Sequence, residues 1–225
     1  MHIGKGQILE LLLEDGRRYA RLSCPPNLIP APGQYLLASD GSDSPLAVPL
    51  FYTDLAPQGF ITAVPDPPDW APGLEISLRG PLGRGFVLPL AARKVALIAF
   101  DDAPARVRGL IRQALKQNAA VVLVCDSAPE HLPDEVEVQP LSTLHDILDW
   151  ADYAGFDVAR ENLHRCREGL GKQNQSLARM SAQVLVRTPI PCGGIADCGI
   201  CAVVTKSDWK LACKDGPVFD WMELN

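Results

Sequence analysis

Four cysteines near the C-terminus carry the clearest chemical potential in this chain: Cys192, Cys198, Cys201 and Cys213, in the stretch PCGGIADCGICAVVTKSDWKLACKDGPVFD, with spacing C-x5-C-x2-C-x11-C. Thiolates are soft, polarizable ligands that suit iron in a sulfide-bridged cluster, and four of them complete the coordination of two irons. Gly193, Gly194 and Gly199 allow backbone conformations closed to other residues, which lets amides turn toward the sulfurs. The alternative is a structural four-cysteine zinc site holding a complex together. Zinc ribbons usually present two C-x2-C pairs, and here Cys198 and Cys201 make only one.

A related C-x4-C-x2-C spacing with a distant fourth cysteine holds the [2Fe–2S] cluster of plant-type ferredoxins, so [2Fe–2S] is the expected cluster, with one extra residue in the first gap. Cys24, Cys125 and Cys166 have no neighbouring ligand types at metal-site spacing and read as packed core residues. His2, His131, His145 and His164 are dispersed, and no Ser or Cys motif pairs with them as a nucleophile elbow requires, so hydrolase chemistry has no support and no catalytic residue is assigned.

Composition narrows the partners. The net charge of −6 and pI near 5.2 disfavour a phosphate-binding surface, so nucleic acid is not an expected partner. The apolar stretches Val95 to Phe100 and Ala119 to Cys125 are far shorter than the roughly 18 residues of a membrane span. MHIGKGQILELLLEDG lacks the cleavage pattern of an export signal, and seven cysteines without such a signal argue against a disulfide framework. The expectation is a cytoplasmic protein with reduced thiols.

Three regions must position the cysteines. Residues 1–92 are short apolar runs broken by Pro and Gly, the pattern of a small antiparallel β-barrel. Residues 93–188 change texture: KVALIAF and AAVVLVC are continuous apolar runs of strand length, and Val107, Leu110, Ile111, Ala114 and Leu115 between them recur at helical spacing. That predicts a βαβ unit, continued by a helix around Ser142 to Ala154, a polar helical stretch around Asp157 to Met180 and a strand at Gln183 to Arg187. Residues 189–225 hold the cysteine loop. The predicted fold class is thus β plus α/β: an N-terminal antiparallel barrel, a small parallel α/β domain and a C-terminal iron–sulfur region.

On PGQYLLA at residues 32 to 38, GPLGRGF at 80 to 86 and CKDGPVF at 213 to 219, the chain resembles the electron-transfer subunits of B-type dihydroorotate dehydrogenases, a branch of the ferredoxin reductase superfamily. The resemblance implies a flavin barrel for FAD, an α/β domain for a nicotinamide nucleotide, and a cluster that relays electrons to a partner flavoprotein such as a dihydroorotate dehydrogenase catalytic subunit.

Several motifs depart from that family. Its R-P-x-S or R-x-Y-S flavin motif is VPLFYT here, with no arginine whether Val48 to Phe51 or Leu50 to Thr53 is aligned, which removes a charge-assisted phosphate contact. Tyr52 and Thr53 stay candidates to contact a flavin ring, against the alternative that the aromatic pair fills the barrel core. Arg84, at the tip of the glycine corner, is a further candidate for a flavin or a partner, or belongs to a plain turn. The family's amide-donating G-x-G-T-like loop falls at AVPDPPDW, where Pro65, Pro67 and Pro68 have no amide hydrogen and Asp66 and Asp69 repel phosphate. FAD binding is therefore weakened. The glycine-rich nucleotide turn is Phe100, Asp101, Asp102, Ala103, Pro104, without glycine, so NAD is not expected and Asp102 reads as a helix cap.

Overall fold

The computed structural model describes residues 1–14, 16–41, 46–64, 70–127, 129–171 and 174–224. Seven antiparallel strands come first: β1 (His2–Glu14), β2 (Arg17–Ser23), β3 (Tyr35–Ser39), β4 (Val48–Phe51), β5 (Asp54–Ala56), β6 (Gly59–Ala63) and β7 (Glu75–Leu82). Their order is β4-β3-β7-β1-β2-β6-β5. The two end strands, β4 and β5, are joined only by Tyr52 and Thr53, so the sheet must curl until its edges approach, as the expected barrel requires. Ile8, Leu22, Leu36, Leu50, Phe60 and Leu78 fill its interior.

Strand β3 explains the continuous apolar run YLLA. Leu36 and Ala38 point into the barrel, whereas Tyr35 and Leu37 belong to a second core shared with Cys201, Val203 and Cys213. Successive side chains alternate in a strand, so a run apolar on both faces needs cover on both. The cysteine region supplies the outer cover.

The α/β part comprises β8 (Lys94–Ala99), α1 (Ala105–Arg108), α2 (Ile111–Lys116), β9 (Ala120–Val124), β10 (Val136–Gln139), α3 (Leu144–Trp150), β11 (Tyr153–Ala159), α4 (Leu163–Leu170), α5 (Asn174–Leu177) and β12 (Ser181–Arg187). Beyond it lie β13 (Ala202–Val204), β14 (Trp209–Leu211) and β15 (Val218–Asp220). The sheet order is β10-β9-β8-β11-β12-β15, with β8 to β12 parallel and β15 antiparallel at the edge. The C-terminal tail therefore completes the α/β sheet, and its Trp221 packs on Phe156 at 4.5 Å between ring centroids.

Two sequence expectations need correction. The predicted helix at 142–154 ends at Trp150, and Asp157, expected to begin a helical stretch, lies inside β11; helix resumes only after Ala159. Strand β11 is buried along its whole length at the sheet centre, so it shows no alternation, and its Gly155 and Asp157 are residue types depleted in strands. The single helical pattern through Val107 to Leu115 is instead two short helices flanking Gly109 and Leu110. Gly109 faces the barrel: a Cβ there would lie 2.6 Å from Tyr52 Cδ1.

Tyr52 is itself buried and stacked on Phe60, so it has little room to yield. Gly109→Ala should therefore cost about 1–3 kcal/mol through overpacking. A urea titration would reveal this as a lowered midpoint, with Gly169→Ala, which meets nothing within 4 Å, as the control that is not destabilised.

Candidate metal centre

The four cysteines are brought together by a hairpin and a glycine loop. Strands β13 and β14 pair Ala202 with Leu211, and the amide of Ala212 donates to the Cys201 carbonyl at 3.0 Å. Cys201 just before one strand and Cys213 just after the other are thus neighbours by register, and both are buried. Cys192 and Cys198 lie near each other on the loop, Cys192 partly exposed and Cys198 exposed.

Backbone shape aims amides at these sulfurs. Gly193, Gly194 and Gly199 have φ of +64°, +75° and +71°, as their residue type suggested, and Ala196 joins them at +63° without any sequence signal. Burial opposes ionisation of Cys192, but hydrogen bonds from the backbone of Asp197, the thiol of Cys198 and the backbone of Gly194 and Ala196 outweigh it and bring the thiol down to about 6. Burial, with the neighbouring Cys201, pushes Cys213 up to about 12. Among the described residues no three His, Cys, Asp or Glu side chains converge as ligands of a single metal ion.

The three stretches that carried the family resemblance meet beneath this loop. A Cβ on Gly33 would lie 2.6 Å from Val218, and one on Gly83 would lie 2.6 Å from Pro217, so both glycines permit the tail to seat against the barrel. The Tyr35 hydroxyl donates to the Cys213 carbonyl at 3.2 Å, and Arg79 on β7 donates to the Gly193 carbonyl. Sequence reasoning missed both contacts. The unbroken YLLA run signalled that β3 is covered, but Arg79 carried no signal.

The flavin candidates separate. Thr53, together with Phe51, lines a cleft of about 320 Å³ between barrel and α/β domain, where Arg17 of the barrel meets Arg106, Arg187 and Pro217. Tyr52 points the other way, into the barrel core, with its ring 6.2 Å from that of Phe60. Arg84 is exposed, and its amide donates to the Gly216 carbonyl at 2.5 Å, tying the glycine corner to the tail. The Arg106 guanidinium lies over the Phe51 ring, 5.4 Å from its centroid. The loop Pro65 to Asp69 lies outside the described residues.

At the carboxyl ends of β8 and β11, where strand order reverses and open α/β sheets bind ligands, the chain places Asp101, Asp102 and Asp157. Asp102 does not cap α1, which begins after Pro104 with no side-chain cap. Its carboxylate pairs instead with Arg17, with Arg106 at 3.3 Å and with Arg187 at 3.3 Å. Asp101 accepts from the Ala159 amide at 3.1 Å and Asn162 Nδ2 at 2.6 Å, and pairs with Arg187. Asp157 is wholly buried, 2.8 Å from Arg187 Nε and 3.4 Å from Arg106. Desolvation raises it to about 6 against the pull of Arg106, and desolvation lowers Arg187 to about 10. Three carboxylates thus face three guanidiniums where a nucleotide phosphate would need free donors.

Cys24, Cys125 and Cys166 are buried apart from the cluster loop, and burial pushes Cys24 up to about 11 and Cys166 up to about 12. Among the described residues no helix is long and apolar enough to cross a membrane.

Residues 192–225 match the family described as the iron-sulfur cluster binding domain of dihydroorotate dehydrogenase B. The chain is similar to the electron transfer subunit of dihydroorotate dehydrogenase B (NAD(+)) from Clostridium perfringens, with 26% identity over 176 residues, covering 68% of this chain and 67% of that one. In fold it is similar to the NADH-dependent reduced ferredoxin-NADP oxidoreductase studied for flavin-based electron bifurcation, with TM-score 0.74 and 15% identity over 98% of this chain and 89% of that one. The ferredoxin reductase of carbazole 1,9a-dioxygenase shares the fold at TM-score 0.61 and 14% identity, over 81% and 68% of the two chains. These likenesses bear out the ferredoxin-reductase-like fold class.

Proposed function

We propose that this chain is an iron–sulfur electron-transfer subunit that passes electrons to or from a partner flavoprotein oxidoreductase, of the kind represented by a dihydroorotate dehydrogenase catalytic subunit. The observation that carries the reading is the gathering of the four cysteines from one hairpin and one glycine loop, with Cys201 and Cys213 brought together by the β13–β14 register and left-handed residues turning amides toward Cys192. A [2Fe–2S] cluster needs two thiolates for each iron, whereas a structural zinc ion needs all four on one point. The zinc alternative has no support from the family match at residues 192–225.

When bound, the cluster supplies one-electron storage. The chain's own part is to hold Cys201 and Cys213 in a dry hairpin base and to leave Cys198 exposed on the side from which a partner can approach. In this reading residues 1–92, 93–188 and 189–225 are barrel, scaffold and cluster region, and a cytoplasmic location, which keeps thiols reduced, suits the cysteine site.

FAD is the candidate second cofactor on the strength of the fold, with Thr53 in the cleft. The residues there fit it poorly, because Arg106 occupies the face of Phe51 and is held by Asp102 and Asp157. Tyr52 would have to leave the core to reach a ring, and Arg84 to reach across the tail. Flavin released by heat should fall well below one per chain.

The test is an ultraviolet–visible spectrum of anaerobically purified protein with iron, sulfide and zinc quantitation. About two irons and two sulfides per chain are expected. Colourless protein with stoichiometric zinc would overturn the reading. NADH alone is expected neither to bleach the cluster nor to give a binding isotherm at micromolar concentration, because Asp101 and Asp102 hold the phosphate position. Rapid reduction by NADH would mean that the carboxylates give way.

A further inference from the structure

The cluster loop leans on a cation that the cysteine pattern does not announce. Arg79 lies near the middle of β7, directly opposite Ile3 of β1 and Leu37 of β3, and its side chain leaves the barrel on the face that the loop covers. Its guanidinium donates to the Gly193 carbonyl, one residue after the ligand Cys192. A Cβ on Gly193 would stand 3.1 Å from Arg79 Nη2, so the absence of a side chain there lets the guanidinium approach. Among the described residues that carbonyl is its hydrogen-bond partner, and no carboxylate pairs with it.

Arg79 and the thiols surround one phenol. The Tyr35 hydroxyl, bonded to the Cys213 carbonyl, feels the charges of Cys213, Cys201 and Cys192 and, with opposite sign, that of Arg79. The guanidinium is half-buried, where solvent screening is weaker than at an open surface.

We propose that Arg79 is a positioning residue that also sets the reduction potential of the cluster, by holding an uncompensated positive charge against the loop that bears it. The inference rests on the iron–sulfur reading above. A cluster on four thiolates gains one unit of negative charge on reduction, and a fixed neighbouring cation stabilises the more negative state. Removing that cation must therefore make the cluster harder to reduce. Tyr35, a neutral donor to a ligand's carbonyl, fixes the same loop without contributing charge.

Separating charge from anchoring needs two variants of the full chain. Arg79→Gln keeps an amide donor for the Gly193 carbonyl and loses the charge; Arg79→Lys keeps the charge and loses the planar fork. Anaerobic redox titrations of wild type and both variants, each with iron and sulfide quantitation, provide the test. Arg79→Gln is expected to lower the ratio of reduced to oxidised cluster about tenfold at a given potential, which is a shift of about 59 mV to more negative values for a one-electron couple. Arg79→Lys should stay within about twofold of wild type, with iron content equal in all three.

A change below about twofold in Arg79→Gln, or an equal shift in both variants, would overturn the assignment. Should Arg79→Gln fail to retain iron, the potential of Arg79→Lys decides: a value within about twofold of wild type supports the charge, whereas a tenfold shift, or loss of iron in both variants, would leave only an anchoring role and overturn the proposal. Wild-type protein without iron and sulfide would remove the iron–sulfur reading itself, a result distinct from an iron-loaded protein whose potential ignores residue 79.

Discussion

Cys201→Ser is expected to leave a folded protein without its cluster, iron and sulfide falling from about two each per chain to near zero. Cys201 is buried at the base of the hairpin, where its thiol meets that of Cys213 and the Ala212 amide fixes its carbonyl. A serine oxygen there is harder, less polarizable and shorter in reach than sulfur, and the other thiols are held elsewhere: Cys166 on the buried face of α4, Cys125 beyond the end of β9 and Cys24 in the barrel core. Cys213→Ser should behave alike, because the pair shares one position in the scheme. Cys166→Ser is the matched control, a buried cysteine of similar environment whose loss should leave iron unchanged. Full iron in Cys201→Ser would sink the ligand assignment, and equal depletion in Cys166→Ser would trace iron loss to unfolding.

The cluster was legible because its evidence is local. Ligand types and the glycines that shape their loop sit together in one segment, and the only backbone feature hidden from that segment was the left-handed Ala196. The barrel and the first βαβ unit were legible through period, since turn residues punctuate the one and continuous apolar strands frame the other. Strand β11 was not, because a central strand shows no alternation and Asp157 looks polar until its arginines arrive from α1 and β12. The aromatic pair Phe51 and Tyr52 shows the same limit. Adjacent residues at a strand end face opposite ways, so one lines the cleft and the other fills the core, and composition cannot say which. Arg79 and Arg17 act across strands distant in sequence, and only the assembled sheet places them.

Arg187→Met is expected to cost about 3–5 kcal/mol near pH 8, the range for breaking a buried ion pair by removing one partner. Among the described residues Arg187 is the one side chain that touches all three carboxylates, Asp101, Asp102 and Asp157. Without it Asp157 keeps Arg106, at 3.4 Å, as its ion-pair partner among the described residues, while Asp102 still adds negative charge beside it. The pH dependence follows from Asp157. Burial already raises its folded value to about 6, above the roughly 3.9 of an unfolded aspartate. Such a group binds its proton more tightly in the folded state, so its contribution to stability is greatest below about pH 4 and declines as pH rises through the folded value. Removing Arg187 raises the folded value further, which deepens that decline and carries it to higher pH. The deficit of Arg187→Met relative to wild type should therefore shrink between pH 8 and pH 5 in urea titrations, where Asp157 takes up its proton and no longer needs a cation. A deficit that is the same at both pH values would mean that Asp157 does not carry the effect and that Arg187 contributes through Asp101, Asp102 and packing. A pH-dependent deficit would establish that the switch point of this sheet is held by the protein's own charges, which is the physical reason for expecting electrons here to pass by way of the cluster and not from a bound nicotinamide.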